Sequence, residues 1–343
     1  MERRPSLDPA VAEVRRAVRA ALAALPASSA IVVGLSGGAD SLALAAAAAF
    51  EARGSGHRIV AVTVDHGLQT GSADAAASAA AKARALGLEA VVARVEVGEG
   101  AGPEAAARDA RYRALHDAAQ DAGAAAVLVG HTLDDQAETV LLGLARGSGG
   151  ASLQGMAAAS DLDGIPLLRP LLGVRRITTR AACAAEGLEP WDDPHNLDPR
   201  FARVRVRESV LPVLEAELGP GIAEALARTA AQLREDAEAF DEMIDETIED
   251  IVEHAEAGIS VSAAALAANP PALRHRIIRH VVDAEFGASL TRTQTLEVAR
   301  LVTDWSGQGP IDLPGCRARR VGGRIEFRAG AVESDETAGG ASA

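Results

Sequence analysis

Two short stretches carry residue types that could do chemistry together. In "VVGLSGGADSLAL" (32–44), the run Ser36, Gly37, Gly38, Ala39, Asp40 and Ser41 separates β-forming residues from an alanine-rich segment. Glycines there let the backbone turn tightly so that successive N–H groups face outward, and a helix starting near Ser41 adds its positive end. Such a turn binds phosphate, with the Ser36 and Ser41 hydroxyls as further donors. Asp40 repels phosphate unless a cation lies between them, so it is expected to ligate Mg2+. An ordinary helix cap would account for some of these residue types, but not for the whole run at a strand end. The second stretch is "GHTLDDQAETVLLGLARGSG" (130–149), where Asp134, Asp135 and Glu138 fall within one helical turn beside Thr139. Acids packed this way can hold magnesium or an ammonium group. Taken alone, they read equally as carboxylates stabilising a helix N-terminus.

The elements that must position both stretches follow from periodicity. Strands are expected at 30–35, 58–66, 89–97 and 125–131, and helices at 10–25, 41–53, 72–87, 103–122 and 134–146. Short apolar strands alternating with longer helices predict an α/β fold: a doubly wound, Rossmann-like parallel sheet covered on both faces. Ligands of such sheets bind at the carboxyl ends of the strands. That rule places 36–41, Asp65-His66 and 131–135 on one rim. Beyond 150 the pattern loosens: 169–188 reads as one helix, 208–217 and 220–256 as further helices. A small, mostly helical C-terminal domain follows, with helices at 270–285 and 291–303 and a hairpin in "RARRVGGRIEFR". The expected division is an N-terminal helix (1–29), a catalytic domain (30–215), a helical linker (216–256), a substrate domain (257–328) and a disordered tail (329–343).

Composition excludes several classes. The chain has 343 residues and no apolar run of the roughly 18 residues a membrane span needs. Nor does it open on a signal-peptide core, so a cytoplasmic location is expected. Its two cysteines, Cys183 and Cys316, form neither a disulfide framework nor a metal knuckle. The single lysine, Lys82, lies far from Gly37 and Gly38, so the turn is not a Walker A loop, which needs Gly-Lys-Ser/Thr. A net charge of −14 argues against indiscriminate nucleic-acid binding, yet residues 274–328 hold 10 arginines against 6 acids. A local basic patch on an acidic protein fits one shaped polyanion, or simply solvated helix faces. In "RFARVRVR" (200–207), Arg203, Arg205 and Arg207 would present one charged edge to the phosphates of a polyanion if extended, and would scatter if helical. Trp191, Trp305 and Cys183 are expected in the core, and His131 as a hydrogen-bonded anchor of its loop.

Ser-Gly-Gly-x-Asp-Ser after a strand resembles the signature of the PP-loop ATP pyrophosphatases, which split ATP between the α and β phosphates. The run 130–149 resembles, more narrowly, the tRNA(Ile)-lysidine synthetase family. "VDHGLQ" (64–69), with Asp65 where that family usually has asparagine, "EAAARDARYRAL" (104–115), "RPLLGVRR" and "WDDPHNLDPRFARVRVRESVLPVLE" are similar to its other segments in order. His195 and Val204 stand where serine and asparagine are usual. The resemblance covers about residues 30–215 and is weaker beyond.

It implies that ATP adenylates the C2 oxygen of the wobble cytidine in the CAU-anticodon isoleucine tRNA, and that the ε-amine of free L-lysine then displaces AMP. By the same resemblance, Ser36, Gly37, Gly38, Ala39, Asp40 and Ser41 would hold the pyrophosphate of ATP. Asp40 and Asp135 would organise Mg2+, and Asp135 and Glu138 would orient the lysine ammonium. Arg111 or Arg108 would stabilise phosphate charge or hold the lysine carboxylate. Three rival readings are weaker. A sulfur transferase lacks the cysteines it needs, a small-molecule ligase leaves the basic C-terminal unit without a use, and a nucleotide sensor gains nothing from acids beside phosphate.

Overall fold

The computed structural model describes residues 7–67, 71–95, 103–147, 149–193, 197–255 and 258–330. His195 and the tail from residue 331 lie outside them. The chain divides into two compact units, Met1–Arg234 and Glu235–Ala343.

In the first unit α1 (Pro9–Ala23), β1 (Ala30–Gly34), α2 (Ala39–Ser55), β2 (Arg58–Asp65), α3 (Ser72–Ala85), β3 (Glu89–Arg94), α4 (Pro103–Ala122), β4 (Ala124–Leu128) and α5 (Leu133–Arg146) alternate as the periodicity predicts. A single turn, α6 (Gly150–Leu153), precedes a hairpin of β5 (Ala159–Leu162) and β6 (Ile165–Leu168). Then come α7 (Arg176–Ala185), α8 (Ala202–Arg205), a π-helical turn (Val206–Val210) and α9 (Leu211–Leu218), and α10 (Ile222–Ile251) begins. The sheet runs β3-β2-β1-β4-β6-β5, parallel throughout except between β5 and β6. Strand order reverses between β1 and β4, and the carboxyl ends of that pair form the crevice where such sheets take ligands.

The alanine-rich sequence of α2 follows from its position. Every residue from Ser41 to Ala49 is buried, and a helix apolar all round belongs inside. Alanine lets its neighbours approach closely: Val11, Val14, Val18 and Leu22 of α1 and Ala182 and Cys183 of α7 share one core with α2 and with Ile31 and Val33 of β1. On the opposite face Val32, Val60, Val62 and Val127 pack against Leu115 and Ala119 of α4.

One expectation for this unit is corrected, and one element is new. Residues 169–188 are not one helix. Only Arg176–Ala185 is helical, because Pro170 and Gly173 interrupt the run and the buried Arg169 spends its guanidinium on the Ala157 carbonyl at 2.8 Å and the Ser160 hydroxyl at 3.0 Å. The β5–β6 hairpin was not expected. Its two-residue turn has Asp163 at φ 49° and Gly164 at φ 87°, the primed geometry that Asp-Gly favours.

In the second unit the rest of α10 is followed by β7 (Val252–Ala255), β8 (Gly258–Ser262), α11 (Ala263–Ala268), α12 (Pro271–Phe286), α13 (Arg292–Thr303), β9 (Ile311–Leu313), β10 (Cys316–Val321) and β11 (Arg324–Ala329). The expected hairpin, β10–β11, is the centre of a five-stranded antiparallel sheet, β7-β8-β11-β10-β9. The helix read across 220–256 ends at Ile251, where Val252 pairs with Val261. The core of this unit gathers Phe327, Ile325, Val261, Leu266, Ile277 and Ile278. Trp305, expected in a core, is 41% exposed beneath the Arg320 guanidinium. Among the described residues no helix is long and apolar enough to cross a membrane.

The two stretches of chemical interest meet because Gly130, just beyond β4, has no side chain. A Cβ there would lie 3.0 Å from Asp40 C and Ser41 N and 3.1 Å from Asp40 O. Those are backbone atoms at the start of a buried helix and cannot turn aside. Gly130→Ala is therefore expected to cost about 1–3 kcal/mol of stability and to weaken ATP binding as the loop shifts. Urea denaturation and nucleotide titration of the same variant would measure both.

Candidate active site

Between β1 and α2 the chain makes the tight turn that the glycines predict. Gly37 sits at φ +87°, a left-handed conformation that disfavours any side chain. The Ser41 hydroxyl donates to the Gly38 carbonyl at 3.0 Å and accepts from Ser36 N at 3.1 Å, while the two serine hydroxyls lie 3.0 Å apart. Outside contacts fix the turn: Trp191 N donates to the Gly37 carbonyl at 2.9 Å, and Cys183 Sγ to the Ala39 carbonyl at 3.4 Å. Burial pushes the Cys183 thiol up to about 11, so it packs as the structural group expected. The first N–H groups of α2 have no partner within the helix and open toward the crevice end of the sheet.

Asp65, at the neighbouring rim position, is used locally. Its carboxylate accepts from Gly67 N at 3.0 Å, and hydrogen bonds from Ser72 and Gly67 hold it below the ordinary carboxylate range. An aspartate performs this turn-closing role with acceptors alone.

The acids of α5 divide by direction. Thr132 caps the helix, with Asp135 Oδ2 accepting from Thr132 N and Oγ1 at 2.8 Å each. Asp134 turns outward to Arg175, whose guanidinium reaches both carboxylate oxygens at 3.0–3.2 Å and also pairs with Glu224. Asp135 and Glu138 turn inward, and there they meet Asp40.

One side chain joins all three. The Arg176 guanidinium donates to Asp135 Oδ1 at 2.7 Å, Glu138 Oε1 at 3.0 Å and Asp40 Oδ2 at 3.4 Å. Asp40 also accepts from the Thr179 hydroxyl one turn along α7. Glu138 is fully buried and takes a two-point pair from Arg207 at 2.7 and 3.0 Å, with Arg203 at 3.8 Å. Burial opposes the charge on Asp135, yet Arg176 and the Thr132 donors outweigh it, so its carboxyl lies below the ordinary range. Asp40 behaves oppositely: burial outweighs Thr179 and Arg176, and its carboxyl is raised.

The structure thus brings Asp40, Asp135 and Glu138 together and attaches Arg203 and Arg207 to them. Arg205 points elsewhere, donating to the Pro199 and Arg200 carbonyls at 2.7 and 2.9 Å. The segment is helical, so Arg203 and Arg207, four apart, share a face that Arg205 does not. Arg111 is exposed and pairs with none of these carboxylates among the described residues. Arg108 meets Tyr112 Oη at 3.2 Å. The His131 ring is pushed down to about 4 by burial, so it is neutral at physiological pH, and its buried Nδ1 lacks the hydrogen bond expected of an anchor.

Arg176 and Thr179 escape sequence reading because their partners are remote, 136 and 139 positions away for Asp40. The segment "RPLLGVRR" marks the place but not the role. Among the described residues no three carboxylate, imidazole or thiol groups are arranged to enclose a metal by themselves. Two carboxylates beside a phosphate loop nonetheless suit Mg2+, which takes one or two protein ligands and completes its shell with phosphate and water.

Glu138→Gln removes the buried counter-charge of two guanidiniums, so a loss of about 3–5 kcal/mol is expected in denaturant unfolding. Asp135→Asn should act on the acid limb. A lowered folded-state value contributes stability that is present above the ordinary aspartate value and lost as pH falls through the folded one. Below roughly pH 4 the difference between wild type and Asp135→Asn should therefore shrink.

A "PP-loop domain" family model matches residues 11–214, and a "TilS substrate binding domain" model matches 262–326. The chain is 59% identical to the tRNA(Ile)-lysidine synthase of Leifsonia xyli subsp. xyli, over 87% of this chain and 89% of that one. It is 53% identical to that of Salinispora tropica (93% and 97% covered) and 51% identical to that of Streptomyces coelicolor (89% and 87%). Among solved structures it resembles the U34-tRNA thiolase NcsA from Methanococcus maripaludis, with a TM-score of 0.57 at 19% identity over 66% of this chain and 80% of that one. That likeness shows the fold alone. The phosphate loop, the carboxylates beside it and these relatives agree: the chain belongs to the tRNA(Ile)-lysidine synthase family, with a PP-loop ATP-using domain.

Proposed function

We propose that the chain ligates free L-lysine to C2 of the wobble cytidine in the CAU-anticodon isoleucine tRNA, consuming ATP and releasing AMP and pyrophosphate. The observation that carries this reading is the meeting of phosphate loop and inward-facing carboxylates at the sheet's switch point, in a chain of this family. In the first half-reaction the cytidine C2 oxygen attacks the α-phosphate. Backbone N–H groups of 37–41 and the Ser36 and Ser41 hydroxyls hold the departing pyrophosphate. Asp40 and Asp135 are the residues that would hold Mg2+, which screens the phosphate charge from both carboxylates when bound.

In the second half-reaction the lysine ε-amine attacks C2, the bond to the adenylate oxygen breaks, and AMP leaves. Asp135 and Glu138 orient the ammonium, and a carboxylate of this pair accepts its proton before attack. Arg111 or Arg108 would stabilise developing phosphate charge or hold the lysine carboxylate. Of the three arginines at 203–207, Arg205 is the exposed one without a carboxylate partner among the described residues and is the candidate for tRNA phosphate.

Labelled lysine, ATP and Mg2+ supplied with CAU-anticodon isoleucine tRNA should give acid-precipitable label, and methionine tRNA should give none. Asp135→Asn should abolish the product. Label entering neither tRNA while AMP still forms would point to another nucleophile, and an unimpaired Asp135→Asn enzyme would remove the role given to that residue.

A further inference from the structure

Arg176 occupies the space that the proposed reaction needs for cations. Its guanidinium touches Asp40 and Asp135, the candidate Mg2+ ligands, and Glu138, which with Asp135 is the candidate ammonium site. A bound metal or substrate ammonium cannot share those oxygens with a guanidinium at 2.7–3.4 Å without strong like-charge repulsion. Glu138 keeps Arg207 on both of its oxygens if Arg176 leaves, so the oxygens freed for a cation are those of Asp40 and Asp135. Asp40 and Asp135 are different. For them Arg176 is the nearest cation, with Arg207 no closer than 3.6 Å to Asp135.

Geometry also gives Arg176 somewhere to go. It is the first residue of α7, and its main chain is pinned by Arg176 N donating to Asp134 Oδ2 at 2.7 Å. Its side chain is 18% exposed on a long, flexible stem. From Asp40 it borders the turn between β1 and α2, so triphosphate arriving there offers an anion of higher charge, and one that a planar guanidinium binds well.

We propose that Arg176 is a placeholder cation. In the nucleotide-free protein it fills the site between the phosphate loop and α5, keeping free divalent metal and free amine out. When ATP occupies the loop, Arg176 transfers to the phosphates and releases Asp40 and Asp135. The device orders binding, with nucleotide before cation, and it leaves no uncompensated carboxylate cluster in the resting protein. It rests on the proposed cation role of these carboxylates.

The test is Mn2+ binding to the full chain, followed by the loss of the free-ion electron paramagnetic resonance signal. Without nucleotide, wild type should bind Mn2+ weakly. Arg176→Gln should bind it at least about tenfold more tightly, since the repelling charge at contact distance is gone, and Asp40→Asn in that background should cancel the gain. Arg176→Lys guards against misfolding of the first variant. Its ammonium is a point charge that cannot span three carboxylates, so its Mn2+ affinity should fall between the two. Circular dichroism would confirm that each variant is folded. Affinity in both folded variants no higher than in wild type would overturn the placeholder. If wild type with a non-hydrolysable ATP analogue nevertheless binds Mn2+ in an Asp40-dependent way, the metal role stands and only the placeholder falls. If Asp40→Asn changes nothing with the analogue bound, the metal role itself is wrong.

Discussion

The structure of the first unit turns on one electrostatic constraint: Asp40, Asp135 and Glu138 converge in a largely buried space. Uncompensated carboxylates at that depth would repel one another and lose hydration, and each would drift toward its protonated form. Arg176, Arg207 and Arg203 supply the balance. That explains why the start of α7 must reach both Asp40 and α5, and why the helical stretch after residue 201 packs on α5. The neighbouring arginines Arg175 and Arg176 also differ in duty. Arg175 ties the outward acid Asp134 to Glu224 and so anchors α5 and α10, leaving Arg176 to serve the inward acids.

A second constraint is steric. Two backbone segments approach each other where β4 ends and α2 begins, and the fit tolerates neither a Cβ at Gly130 nor bulky residues along α2. Alanine supplies a helix that can be surrounded on all sides. The low aromatic content of the chain, 2%, is thus compatible with a continuous core, because small side chains bring the helices close and valine fills both faces of the sheet. The positive end of α2 is held where phosphate would sit by packing along its whole length, and not by loop contacts alone.

How far all this is legible in the sequence depends on the range of the interactions. The alternating elements of the first unit, the glycine turn at 36–41 and the capped acids of α5 arise from local rules, and the sequence displays them. The partners of those acids do not show, because Arg176, Arg203 and Arg207 are brought in by the fold from 38 to 69 positions away in the case of Glu138. Helical spacing separates Asp134 from Asp135 and puts Asp135 and Glu138 on one face, but which side turns inward does not show, because Arg175 is what draws Asp134 outward. The Asp-Gly turn of β5–β6 was readable, but its flanking strands are only four residues each and half exposed, which blurs their alternation. In the second unit β7 and β9 were hidden for the same reason. Short edge strands acquire their conformation from pairing, and Val252–Ala255 continues directly from a long helix.

The basic surplus of residues 274–328 shows the same limit from the opposite side. Most of those arginines are consumed internally. Arg274 caps α11 through the Leu266 and Asn269 carbonyls, Arg320 takes the Leu301 carbonyl, and Arg317, Arg319, Arg324 and Arg328 pair with Asp312, Glu326 and Glu253. What remains is sparse but pointed. On α12 the Arg279 guanidinium is pushed down by burial and then by Arg276 and Arg292, and His275 by burial and the arginines around it. Of these cations Arg276 has a partner of its own, Asp241 at 3.9 Å, and its guanidinium lies 4.6 Å from the Phe240 ring. The count of arginines therefore overstates the charge that this segment offers to a polyanion, because fold-internal carbonyls and carboxylates already take most of it.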